Sequence, residues 1–84
     1  MSKLTVNGKT YCDTKVIESA AGTVKTPNGS TVDVTLDLHV VLNASGESSK
    51  WVFVAAMAGQ SRTMEFAKES QALEVFNAQK KFFV

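Results

Sequence analysis

The stretch Thr31-Val32-Asp33-Val34-Thr35-Leu36-Asp37-Leu38-His39-Val40 constrains the fold more than any other. Apolar residues stand at 32, 34, 36, 38, 40 and 42, and polar ones at 31, 33, 35, 37 and 39. Alternation with a period of two over this length specifies an extended strand with one buried face and one wet face. After a small-polar loop at 43–49, the run Lys50-Trp51-Val52-Phe53-Val54-Ala55-Ala56-Met57 is again strand-like, but apolar on both faces. These two strands are expected to form the centre of a sheet on which everything else packs.

The flanking segments follow from turn chemistry. Asn7-Gly8 supplies the positive φ angles of a type I′ hairpin turn, pairing Val6 with Lys9 and Leu4 with Tyr11. Leu4, Val6 and Tyr11 then share a face. Pro27-Asn28-Gly29 closes a second hairpin that pairs Val24 with Val32. Residues 13–26 change phase along their length, which predicts two strands joined by a kink or bulge at Ala20-Ala21-Gly22. Gly59-Gln60 reads as a type II′ turn that pairs Met57 with Arg62, Ala55 with Met64 and Phe53 with Phe66. From about Lys68 the period becomes helical. Ala72, Leu73, Phe76 and Phe83 form one stripe, with Val75 at its edge. The stripe degrades after Ala78, so Phe82-Phe83-Val84 is expected to leave the helix and dock separately. The sum is one α+β domain over residues 1–84, an antiparallel sheet of five to six strands with one C-terminal helix packed on one face.

Few function classes suit this chain. Eighty-four residues with 44% hydrophobic and 20% charged content make one globular domain, not a disordered segment. The net charge of +1 does not suggest a strongly basic nucleic-acid binder. A lone cysteine, Cys12, excludes an internal disulfide and, with no apolar leader at the N-terminus, favours the cytoplasm. The longest apolar run, residues 51–58, is far short of the ~20 residues of a membrane helix, so no membrane partner is expected.

No residue pattern names a reaction. Cys12 and His39 lack the neighbours that nucleophilic catalysis needs. Asp33, Asp37 and His39 share one side of a strand, but same-face neighbours stand ~6.5–7 Å apart and match no metal motif. They are read as a solvated face. A carboxylate pair drawn from Asp33, Asp37 and Glu65 would need a sugar cleft that short turns do not build. Gly22, Gly29, Gly46 and Gly59 are isolated and form no phosphate loop. Asn43-Ala44-Ser45 matches a glycosylation sequon, incidental in a cytoplasmic chain. No catalytic residue, metal or cofactor is expected, and the chain is not read as an enzyme.

Two binding readings remain. Lys50, Arg62, Lys68, Lys80 and Lys81, with Trp51 or Tyr11 as stacking rings, would suit single-stranded nucleic acid. Against it, the wet face of the 31–42 strand carries Asp33 and Asp37, and Trp51 is in phase with the buried Phe53. The leading reading starts from the second face of the 51–57 strand. Val52, Val54 and Ala56 are apolar there, with Thr63 and Glu65 expected opposite Ala56 and Val54. An apolar stripe with a polar rim resembles a protein interface. Val52, Val54, Ala56 and Glu65 are therefore the candidate protein-binding residues, for another protein or a second copy in a homodimer. The competing explanation is that the N-terminal hairpin, or a strong curl of the sheet, covers this face. The expected function is that of a small non-enzymatic binding protein. Accessory and inhibitor proteins of this size, including those of phages and mobile elements, act by occupying a protein surface.

Overall fold

The computed structural model describes residues 2–6 and 8–83, with backbone alone for Ser2 and Val6. The expected Asn7-Gly8 turn, the side chain of Val6 and the docking of Val84 lie outside the described residues. The elements in chain order are β1 (Ser2–Val6), β2 (Lys9–Lys25), β3 (Thr31–Leu42), β4 (Ser48–Met57), β5 (Gln60–Phe66) and α1 (Glu69–Lys80). The strands form one antiparallel sheet in the order β1-β2-β3-β4-β5, curled into a half-barrel with the helix against one face.

The alternation in β3 works as its pattern demands. Val34, Leu36, Leu38 and Val40 are buried, whereas Thr31, Asp33 and Thr35 are exposed. Val34, Leu36 and Leu38 form the floor of the core under α1, with Phe53 from β4 and Ala72 and Phe76 from the helix. The Phe53 and Phe76 rings meet edge to face, with centroids 6.2 Å apart and planes at 87°. Trp51, Ala55, Phe66, Leu73 and Phe83 pack around this centre. The helical stripe thus buries its middle, and Lys80, in the last turn, holds its ammonium 5.6 Å from the Phe76 ring centroid.

β2 is one strand of 17 residues, not two joined at 20–22. The register shift against β3 falls at Ile17, between the pairs Val16↔His39 and Glu18↔Leu38. That bulge lets Ile17 reach the helix-face core while Glu18 stays exposed. Gly22 has a different task. A Cβ there would lie 2.6 Å from Cδ2 of Phe83, so the bare backbone makes room for that ring. A second irregularity separates Ser2↔Thr14 from Leu4↔Tyr11, and Asp13 there is left-handed with φ 55. Such bulges bend a strand sharply. Beyond the bend, residues 9–12 no longer pair with β3, and the β1–β2 hairpin folds across the other face of the sheet.

The β4–β5 turn differs from the expected one. Its central residues are Ala58 and Gly59, with φ 52 and 79, and it pairs Met57 with Gln60. Two successive left-handed residues make the type I′ geometry, whose twist matches the strands. The register is displaced by two from the Gly59-Gln60 reading: Ala55 pairs with Arg62, Phe53 with Met64 and Trp51 with Phe66. A displacement of two preserves which side chains share a face. It does move Thr63 opposite Val54 and Glu65 opposite Val52.

Candidate functional site

The folded hairpin decides the fate of the second face of β4. Val52 is 0% exposed and Val54 8%. Together with Tyr11, Val41 and Leu4 they make a second core, on the side of the sheet away from the helix. Val52 and Val54 are therefore interior residues and not part of an open stripe. Ala56, one step further along the strand, is half-buried. The physical reason is the Asp13 bend, which lays Tyr11 over the two valines.

Glu65 borders this second core at the centre of a polar clamp. Its carboxylate accepts a hydrogen bond from the Tyr11 hydroxyl. It also pairs with Lys9 Nζ at 2.6 Å and Lys50 Nζ at 3.2 Å. Both ammonium groups stand near the Tyr11 ring, 5.1 and 5.8 Å from its centroid. Hydrogen bonds from Lys9, Tyr11 and Lys50 hold the Glu65 carboxyl down to about 2. Burial pushes the Tyr11 hydroxyl up, with the hydrogen bond to the Glu65 carboxylate acting the same way. The clamp spans β2, β4 and β5 and so tethers the hairpin to the far edge of the sheet. Lys9, Tyr11 and Lys50 each direct a donor at the Glu65 carboxylate, so the four side chains fasten the hairpin to β5.

The remaining sequence candidates are placed as follows. Asp33, Asp37 and His39 line one side of β3, and no group of three metal-ligating side chains forms among the described residues. Asp33 is exposed, but Asp37 and His39 are half-buried, so this face is only partly solvated. His39 Nδ1 is shielded from solvent without a hydrogen-bond partner among the described residues. Burial lowers the His39 pKa, and the neighbouring Asp37 charge only partly opposes it. Cys12 is exposed and free. Trp51 packs against the helix-face core, and its indole N–H is shielded without a partner among the described residues. Asn43 of the sequon organises its own loop: its side-chain oxygen accepts from the Ser45 and Glu47 amides, each at 3.0 Å.

The feature that sequence reasoning missed lies on the helix face, beyond the end of α1. A helix rises ~1.5 Å per residue and a strand ~3.3 Å. α1 and β3 have 12 residues each, so the helix covers less than half of the strand's length. Phe83 fills part of the remainder. What is left is a hollow of about 410 Å³ lined by Val24, Val34, Leu36, Ala55, Met57 and Phe83, among others. Phe82 at its rim is 65% exposed and Met57 45%. Polar groups come from Gln60, Arg62 and Gln79. One sequence signal did point here. Arg62 stands in β5 at an inward-phase position, two before Met64 and four before Phe66, where a cation has no place in a sealed core.

No helix among the described residues is long and apolar enough to cross a membrane. The chain matches no protein-family model, no curated protein and no solved structure.

Proposed function

We propose that the protein is a small cytoplasmic protein-binding domain without catalytic activity, acting by occupying a partner's surface. The observation that carries this reading is the hollow at the end of α1. Large apolar side chains are usually withdrawn from water, yet Met57 and Phe82 stand exposed around a recess whose walls are themselves apolar. A partner side chain entering it would remove apolar area from water at ~25 cal/mol per Å². Among the described residues β5 pairs with β4 alone, so it is an edge strand of the sheet. The cytoplasmic assignment rests on Cys12, a lone exposed thiol suited to a reducing compartment. Single-stranded nucleic acid is the weaker reading. Tyr11 and Trp51, the rings it needs for stacking, are packed inside, and Lys50 is engaged by Glu65.

Phe82→Asp tests the proposal, because a residue so exposed can be changed without disturbing the fold. Affinity capture with wild type and variant, both checked by circular dichroism, is expected to retain a partner on wild type alone. Light scattering on the purified wild type shows whether a second copy is that partner. Capture indifferent to Phe82→Asp removes the hollow from the function. Retention of single-stranded oligonucleotides that falls steeply with salt selects the nucleic-acid reading instead.

A further inference from the structure

The charge around the hollow specifies what enters it. Arg62 is the one charged residue of its lining, and it makes no ion pair among the described residues. The exposed cations Lys80 and Lys81 adjoin Gln79 and Phe82 in the chain, whereas Lys25, next to Val24 in β2, alternates to the opposite face of the sheet. Asp33 and Asp37 adjoin Val34 and Leu36, but strand alternation sends them to the opposite face of the sheet. The recess therefore has an apolar floor and a rim whose charge is of one sign. A guanidinium presents a planar fork of donors that matches a carboxylate, and the Gln60 and Gln79 amides stand in the same lining.

Resting on the protein-binding reading, we infer that the hollow receives a partner segment in which a bulky apolar side chain stands beside a carboxylate. The side chain packs among Val24, Val34, Leu36 and Ala55, and the carboxylate meets Arg62 at the rim. The volume of about 410 Å³ lies within the ~300–1,000 Å³ typical of sites that enclose an apolar group. A segment with lysine in place of the acid brings like charge to Arg62 and is rejected.

The experiment is selection from a displayed library of random peptides on wild type, Arg62→Glu and Ala55→Phe, each confirmed folded. Arg62 is exposed, so its replacement leaves the core untouched. Wild type is expected to enrich aromatic or large aliphatic residues next to Asp or Glu. A synthetic peptide from that set should bind roughly tenfold more weakly when its acid becomes lysine. Arg62→Glu should reverse the preference, and Ala55→Phe, which fills the recess, should abolish enrichment. Enrichment without charge bias, the same bias on Arg62→Glu, or no enrichment on wild type overturns the inference. The two readings fail separately. If peptides show no acidic preference while Phe82→Asp still releases the captured partner, the charge inference falls and the docking site stands. If Phe82→Asp releases nothing, both fall.

Discussion

The two faces of the sheet are closed by different physics. On one face the lid is a helix, and its Ala72 and Phe76, with Leu36 and Leu38 of the sheet beneath, are each 2% exposed or less. That core is held by apolar area and by ring packing between Phe53 and Phe76. On the other face the lid is a bent two-stranded hairpin whose Tyr11 lies over Val41, Val52 and Val54. An isolated hairpin is marginal in water, so this lid depends on its contacts. Its fastening at the far edge is the Lys9–Tyr11–Lys50–Glu65 clamp, made of hydrogen bonds and partly exposed ion pairs. One sheet thus carries a core closed by apolar contacts and another whose cover is also fastened by charged groups. The hairpin is accordingly the segment expected to open first, in the sense of local unfolding.

The largest effect should come from the helix side. Truncating a buried Phe to Ala costs ~3–5 kcal/mol. For 84 residues, total stability is on the order of 4–13 kcal/mol. Phe76→Ala is expected to melt the whole domain, hairpin included, near 37 °C. A melting temperature within a few degrees of wild type would break the claim that this core dominates.

A smaller effect is expected from Val54→Asp on the hairpin side. The carboxylate would be buried without a partner, at a cost on the order of 3 kcal/mol. The hairpin can lift and admit water, so the loss should concentrate there. Amide exchange should accelerate in β1 and residues 9–14 of β2 well before it does in residues 34–38 of β3. Uniform acceleration would show that the two cores open as one unit.

The smallest effect concerns the clamp. Glu65→Gln leaves the Tyr11 hydroxyl with a neutral acceptor, a loss of about 1–2 kcal/mol. The pH dependence gives it a signature. The Glu65 carboxyl is depressed from 4.5 to about 2 by its three donors. Below 4.5 the unfolded chain therefore binds the proton that the folded chain refuses, so stability falls as pH drops toward about 2. His39 acts with the same sign at higher pH, because burial lowers its pKa below 6.5 and the folded state resists protonation. Denaturant midpoints across pH should show the lower step in wild type and its loss in Glu65→Gln. A step that persists in the variant assigns acid sensitivity to other carboxylates.

Some of this was settled locally along the chain. The alternation of residues 31–42 specified β3, and the stripe through Ala72 and Phe76 specified a helix with one buried side. Both are periodic signals, read without knowing any distant partner. The face shared by Trp51, Phe53, Ala55, Met64 and Phe66 survived a wrong turn assignment, because a register error of two leaves strand parity intact. The partners across the sheet did not survive it, which is why Glu65 stands opposite Val52 and not Val54.

The tertiary structure decided what lies over each face. Apolar residues on both sides of β4 required two covers, but Val52 and Val54 look the same whether a hairpin or another protein shields them. The hairpin turns inward at the β1–β2 irregularity, where Asp13 stands at φ 55, and Tyr11 and the Glu65 clamp hold it there. Nothing in the residues around 13 announced it, since Asp only tolerates this geometry and does not demand it. The hollow has a similar origin. It arises because α1 rises ~1.5 Å per residue against ~3.3 Å for the strands beneath it. Arg62 stands at an inward-phase position beside the gap, and Phe83, seated against Gly22, lines it.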